Sequence, residues 1–258
     1  MSCMTKQISN YDYVTILLNR VGELYKTGDI EGARKVLDRA VEFADDIEDI
    51  YRKTLAFIQI ARAYLMVGMK DKAGELLSSI EEEITERSED KLRIYIIAIR
   101  IERLKMNLIP SDKTYEYYEE IRQEFEKILN KEYGPSTMRQ YIAFLVMMWA
   151  PYMIERNIEL AQSVINGAIE RLKMYREDPQ YAELLTTLAE IHTKIDRIDE
   201  AIRELQQAIN IYIKNLDEFQ DTILAILKFV KENFPDKYEY FISELGEEIS
   251  TIIGDDEQ

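Results

Sequence analysis

Very few residues of this chain have the chemistry that catalysis requires. His192 is the only histidine and Cys3 the only cysteine, so a zinc site built from histidines is impossible. Any Ser–His–Asp or Cys–His arrangement would have to use His192. This residue falls on a core-facing position of the helical pattern, so we expect it to pack rather than to react. Cys3 lies in an N-terminal tail, where we expect no functional thiol.

Sites for phosphate or metal ions are also missing from the sequence. Neither GxGxxG nor GxxxxGK[ST] occurs, so no Gly-rich loop is available to cradle a phosphate. The acidic runs 45–46 and 81–83 lack the spacing of a calcium-binding loop, and we interpret them as solvated helix ends. The sequence therefore predicts a protein that is not an enzyme, with no cofactor and no metal site.

A cluster of arginines is the strongest candidate for a binding site. Between Lys91 and Lys105 there are five basic residues and one acidic residue. Arg93, Arg100 and Arg103 are spaced i, i+7 and i+10, which places them on one side of a helix. Together with Arg62 they could grip carboxylates or a phosphate on a partner. The alternative is that these arginines pair with acidic residues of neighbouring helices while their stems cover apolar surface.

Two aromatic or apolar segments are further candidates for contact surfaces. Tyr115 and Tyr118 could bind a partner, because tyrosine is favoured at interfaces, or they could be structural. The run 144–149 (FLVMMW) is expected to lie in the core. Its alternative role is an oligomer or partner surface, because methionine adapts to varied contacts.

The overall charge argues against nucleic acid and membranes as partners. The formal net charge is −16, so a phosphate backbone and an anionic lipid surface would both be repelled. The most apolar stretch, 141–153, is about half the length that a membrane-spanning helix needs. A single cysteine fits a reducing compartment and the N-terminus lacks the apolar segment of a signal peptide, so we expect a cytoplasmic protein. Charged residues at 32% hint at a thermophilic source.

The most informative feature of the chain is an internal repeat. Four segments align without gaps: 29–40, 69–80, 157–168 and 197–208. The fifth position of each is an alanine, namely Ala33, Ala73, Ala161 and Ala201. A bulky aliphatic residue follows four positions later, and a further apolar residue, alanine in three of the segments, follows at seven. These offsets share one face of a helix, and the small residue lets two helices cross closely.

The residues that precede the alanines predict helical hairpins. Five positions earlier, where a first helix must end and turn, lie Gly28, Gly68, Arg156 and Asp196. Glycine suits this position because it accepts a left-handed backbone, whereas Arg156 departs from the pattern. Nine positions before the alanines lie larger residues, among them Tyr64 and His192, which we interpret as packing residues.

The pattern as a whole predicts an all-α chain with a single domain over residues 1–258. We expect about six antiparallel helix pairs, near residues 11–46, 49–87, 89–131, 135–176, 179–214 and 217–253. Pro151 lies inside the first helix of the fourth pair and is expected to kink it. The last residues, 254–258, are expected to fray.

The second predicted helix pair carries a recognisable motif. Its residues follow the order small residue, aromatic, turn glycine, alanine and bulky residue: Ala61, Tyr64, Gly68, Ala73 and Leu77. This combination resembles the tetratricopeptide repeat (TPR), and the segments 21–40 and 188–208 look similar, with His192 in place of the aromatic. The alanines here are 40 residues apart within each neighbouring pair of repeats, against about 34 in that family, which implies longer helices. The resemblance implies a right-handed, superhelical α-solenoid with a concave groove, and it implies no chemistry.

These observations predict a scaffold or adaptor that binds a peptide or partner protein in the concave groove. First helices line that groove in the TPR family, which would place the arginines there. The alternative is a structural subunit of a larger homo- or hetero-oligomer, and exposure of the run 144–149 would favour it. The oligomeric state itself stays open.

Overall fold

A computed structural model describes residues 8–87, 89–131 and 134–245 of the chain. Within these residues the protein is all-α and contains no strand, as the sequence predicts. The chain divides into two compact units, unit 1 from Met1 to Tyr133 and unit 2 from Gly134 to Gln258. Cys3 and the predicted helix end over 246–253 lie outside the described residues.

Unit 1 consists of consecutive helices that pack on their neighbours. They are α1 (Asn10–Lys26), α2 (Ile30–Asp45), α3 (Ile50–Met66), α4 (Lys70–Arg87), α5 (Arg93–Lys105) and α6 (Thr114–Leu129). Each helix contacts the next one along the chain, and α3 also contacts both α1 and α5. These ranges lie close to the predicted ones, because the apolar period and the caps are local signals.

Unit 2 continues the same order of elements. It contains α7 (Pro135–Phe144), a π-helical segment (Leu145–Trp149), α8 (Ala150–Ile154), α9 (Ile158–Arg171), α10 (Pro179–Lys194), α11 (Ile198–Tyr212), α12 (Leu216–Asn233) and α13 (Pro235–Leu245). Neighbouring helices from α8 onward pack against each other. In addition α7 contacts α10, and α11 contacts α13.

The turns after four of the helices share one hydrogen-bond pattern. One residue in each turn has a left-handed backbone: Gly28 (φ 81°), Gly68 (φ 79°), Asn107 (φ 52°) and Asp196 (φ 61°). The N–H of the following residue then donates to the carbonyl five positions earlier, as from Arg197 to His192 at 2.8 Å. This arrangement closes the last turn of the helix. The sequence pattern identified three of these positions, and Asn107 is the fourth.

The turn after α8 is built differently. Arg156, at the aligned position, is not among the described residues with a left-handed backbone. The N–H of Asn157 instead donates to the carbonyl of Met153 at 2.7 Å. The side chain of Asn157 then caps α9 by accepting a hydrogen bond from the N–H of Leu160 at 3.1 Å. A tighter turn and an asparagine cap thus replace the glycine closure.

Pro151 is accommodated by a change of helix type. Proline has no N–H to donate to the carbonyl four residues earlier, which is that of Met147. The segment Leu145–Trp149 widens to a π-helix, and the N–H of Ala150 donates to the carbonyl of Leu145. The disturbance predicted at Pro151 therefore takes the form of a π-helical turn between α7 and α8.

The aligned alanines lie in the cores of the two units. Ala33, Ala73, Ala161 and Ala201 are all fully buried. In the run 144–149, Phe144, Leu145 and Trp149 are buried as well, and Val146 and Met148 are half-buried. Met147 has 74% of its surface exposed.

Candidate functional site

An open groove of about 550 Å³ lies between α10 and α12 in unit 2. Its floor is apolar and includes Leu205 and Tyr212 from α11 and Ile226 from α12. These three side chains are nearly buried, so the groove exposes little of its floor when it is empty. A concave site with an apolar floor and a few polar groups is the usual form of a ligand-binding site.

The wall on α10 is polar. Thr186, Glu190 and Thr193 line it and share one face of the helix, because they are spaced i, i+4 and i+7, and Lys194 lines it beside them. The hydroxyl of Thr186 donates to the carbonyl of Glu183 at 2.9 Å, and that of Thr193 donates to Ala189 at 2.8 Å. Each threonine oxygen can still accept a hydrogen bond from a ligand.

The wall on α12 is mainly apolar and is held in place by ring contacts. Phe229 packs edge-on against Phe234, with their ring centroids 5.8 Å apart. Tyr212 on the floor stacks against Phe219 at 4.9 Å. Such contacts fix the rings before any ligand arrives. Ala225 is exposed on the same wall and leaves room beside Phe229.

A half-buried carboxylate lies one turn before Thr186 on the same face of α10. Burial raises the pKa of this residue, Glu183, and the nearby charge of Asp178 raises it further. Burial also raises the pKa of Tyr212, and the carboxylate of Glu183 adds to that effect. Glu183 does not itself line the groove, but it lies next to the end of the groove that Thr186 lines. Among the described residues no basic side chain forms an ion pair with Glu183.

His192 belongs to a buried polar network. The amide nitrogen of Gln162 is 2.9 Å from Nε2 of the imidazole, and Oε2 of Glu204 is 2.8 Å from Nδ1. Because the amide donates, Nε2 accepts, and Nδ1–H donates to Glu204. Burial raises the pKa of Glu204 to about 8 and lowers the pKa of His192. With both ring nitrogens engaged and only 5% of the residue exposed, the imidazole joins α9, α10 and α11.

The structure brings two of the candidate arginines together in unit 1. Arg100 Nε lies 2.8 Å from Oε1 of Glu81 on α4, and Arg103 Nη1 lies 3.3 Å from Oε2 of the same carboxylate. Arg103 also donates to the hydroxyl of Ser78 at 2.5 Å. Arg100 reaches α6 as well, through Glu120 at 3.5 Å. These arginines therefore connect three neighbouring helices.

The other candidates of unit 1 lie at separate places. Arg62 forms two bonds to Glu102, of 2.7 and 2.6 Å, and Arg93 Nη1 lies 2.8 Å from Glu124. Each of the four arginines thus bonds to a carboxylate of another helix, and a partner would have to compete for it. Tyr115 is 45% exposed and Tyr118 is half-buried, both on α6. Binding of a partner by these residues stays a prediction.

Tyr64, the aromatic of the repeat motif, also connects helices. Its side chain is nearly buried, and its hydroxyl donates to Oδ1 of Asp38 on α2 at 2.7 Å. Lys72 on α4 approaches the same oxygen to 2.6 Å. Tyr64 on α3 and His192 on α10 occupy the same position of the repeat. Each forms a hydrogen bond with the preceding helix, Tyr64 with Asp38 on α2 and His192 with Gln162 on α9.

The residues that line the groove were not among the sequence candidates. A signal for them exists on α12, where Thr222, Ile226, Phe229 and Asn233 follow the spacing i, i+4, i+7 and i+11. This spacing places them on one face. The spacing does not distinguish a core face from an open one. The other side of the groove is formed by α10, which ends more than 20 residues before α12 begins, so the sequence of α12 alone does not reveal the groove.

No model of a known protein family matches this chain, and a search of curated proteins finds no similar sequence. Among the helices of the described residues, none combines the length and apolar character needed to cross a membrane. In the same part of the chain no group of three or more His, Cys, Asp or Glu residues could hold a metal ion.

Proposed function

We propose that the protein is a TPR-like scaffold, a right-handed α-solenoid of antiparallel helix pairs, which binds a peptide segment of a partner protein in the groove between α10 and α12. The repeat of alanines and turn residues supports the solenoid. So does the packing of α3 on α1 and α5, and of α11 on α13. Salt bridges also join equivalent helices of adjacent pairs. Lys72 on α4 bonds to Asp38 on α2, and Lys237 on α13 bonds to Asp199 on α11. Such contacts between equivalent helices are typical of stacked repeats.

The groove itself is the observation that carries the functional proposal. It has an apolar floor, fixed aromatic rings and hydroxyl groups on one wall, within about 550 Å³. This volume suits a few side chains of a bound segment better than a whole folded domain. Helical scaffolds bind peptides by receiving apolar anchors between their helices, and α10 and α12 are both first helices of their pairs.

A blocking substitution tests this proposal. Ala225 lines the groove and is exposed, so Ala225→Arg should fill the groove without disturbing the core. Gln220→Arg adds the same charge to α12 at an exposed position that does not line the groove. Peptides of about 12 residues selected on the wild-type protein from a displayed library should bind A225R at least about tenfold more weakly than wild type.

The control variant Q220R should bind the selected peptides as wild type does, and circular dichroism should show equal helix content in all three proteins. Equal affinity of A225R and wild type would contradict the proposal. The alternative function, a subunit of a larger assembly, has less support from the structure. Of the run 144–149 that motivated it, Phe144, Leu145 and Trp149 are buried.

A further inference from the structure

The charges at the groove indicate what kind of segment it binds, provided that the groove is the binding site proposed above. Glu183 is half-buried, and burial raises its pKa. A carboxylate withdrawn from water without a cation beside it is unfavourable in its charged form. Glu183 lies one helical turn before Thr186, just beyond the end of the groove. A cation on a ligand segment that extends past Thr186 would relieve this penalty.

A second carboxylate lies further along the same wall. Glu190 is seven residues after Glu183 and lines the groove. Its side chain is 56% exposed, and its ion pair with Lys194 is long, at 4.0 Å. An exposed pair of this kind within one helix is weak. Glu190 can therefore exchange Lys194 for a basic group of a ligand.

Apolar contacts lie opposite these carboxylates. Phe229 and the exposed Ala225 form the facing wall, and Ile226 lies at its base. An aromatic or aliphatic side chain can enter beside Phe229, while a basic side chain a few residues away reaches α10. Lys194 also lines the α10 wall, where it is engaged by Glu190, so Glu183 leaves this side of the groove with one carboxylate in excess. One apolar wall and one wall with this excess of negative charge favour a segment that carries both apolar and basic residues.

We propose that the groove between α10 and α12 binds a basic segment of another protein, in which a Phe, Leu or similar anchor is flanked by Lys or Arg that pair with Glu183 and Glu190. The net charge of −16 would steer such a segment toward the protein. The chain's own C-terminal residues fit poorly, because 246–258 contain five acidic residues and no basic one. A peptide of that sequence is therefore a useful competitor.

Three matched peptide libraries test this inference. Each contains peptides of about 12 residues with one central Phe or Leu, and two flanking positions are Lys or Arg in the first library, Gln in the second and Glu in the third. Fluorescence anisotropy should show the wild-type protein binding the basic library at least about tenfold more tightly than the Gln library, and the Glu library least. The variant E183Q/E190Q should reduce the preference for basic over Gln peptides to about twofold or less. E239Q, which changes an exposed carboxylate of α13 that does not line the groove, should leave that preference unchanged.

The outcomes separate this inference from the proposed function. If wild-type protein binds the Gln or Glu library as tightly as the basic one, and A225R abolishes that binding, the groove is the binding site but its preference for basic segments is wrong. If the basic preference survives E183Q/E190Q, the overall charge causes it and the inference is wrong. Tighter binding of the 246–258 peptide than of the basic library also overturns it. If no library binds, the proposed function itself is contradicted.

Discussion

Replacing Arg62 by methionine should destabilise unit 1, because it removes the main partner of a carboxylate that is nearly buried. The side chain of Glu102 is only 10% exposed, whereas that of Arg62 is 56% exposed. Two hydrogen bonds join them, at 2.7 and 2.6 Å, across the contact between α3 and α5. Methionine keeps much of the apolar stem of Arg62 and removes the guanidinium, so the substitution isolates the charge and its hydrogen bonds.

The expected loss can be bounded from the exposure of the two side chains. Breaking a fully buried pair by removing one partner costs about 3–5 kcal/mol. Arg62 is more than half exposed, so water replaces part of its contact, and Lys105 remains 3.5 Å from Glu102. We therefore expect R62M to lower the free energy of unfolding by about 1–2 kcal/mol at neutral pH.

The loss should depend on pH in a defined direction. Burial alone would raise the pKa of Glu102, but the hydrogen bond and charge of Arg62 outweigh burial and hold it below its usual value. A lowered folded-state pKa adds stability that is fully present above the unfolded pKa, near 4.5. That contribution disappears as the pH falls through the folded pKa. The difference between wild type and R62M should therefore shrink between about pH 7 and about pH 3.

Urea unfolding followed by circular dichroism at both pH values measures this difference. The matched control is Arg52→Met, since Arg52 is an exposed residue of the same helix, and we expect it to change stability by less than about 0.5 kcal/mol. If R62M were no less stable than R52M, or if its loss were independent of pH, the described role of the Arg62–Glu102 pair would be refuted. Arg62 would then be available to bind a partner.

Three further predictions concern other features of the fold. Ala201→Leu should destabilise unit 2 by about 2–3 kcal/mol through overpacking, whereas Leu at the exposed Ala225 should have little effect, as thermal unfolding can show. Gly68→Ala should lower the free energy of unfolding by about 1 kcal/mol, because alanine disfavours the left-handed backbone at this position (φ 79°), although its Cβ would meet no other atom. Gly74→Ala inside α4 should raise the free energy of unfolding by about 0.5–1 kcal/mol, and urea unfolding measures both changes. Burial raises the pKa of Glu204 to about 8. Wild type should therefore lose more stability than Glu204→Gln as the pH rises from about 5 to about 9, as melting temperatures across that range can test.

The helices and their closest contacts could be predicted from the sequence because the signals for them are local. The spacing of Ala33, Leu37 and Ala40 already places three residues on one face, and Gly28 marks the turn before them. The left-handed position of the turn after α5 was not predicted. Asn107 takes the left-handed backbone there, but no alanine at the expected distance aligns it with the other repeats.

The partners of the charged residues and the open groove could not be predicted in the same way. Spacing along α5 shows that Arg100 and Arg103 share a face, but it does not show that Glu81 lies opposite them. Arg62 and its carboxylate partner are 40 residues apart. The groove depends on the separation between α10 and α12, which is a property of how three helices pack. No pattern within one helix contains that distance.

Photo-crosslinking tests the central claim, binding in the groove, most directly. A photoreactive phenylalanine analogue placed at position 222 lies at the exposed rim of the groove, where Ala225 still leaves room for the peptide, and the same analogue at position 220 lies on α12 outside the groove. With a bound peptide selected on wild-type protein, irradiation should join the peptide to position 222 and not to position 220. A peptide that still binds but crosslinks only from position 220, or from neither position, would contradict the assignment of the groove.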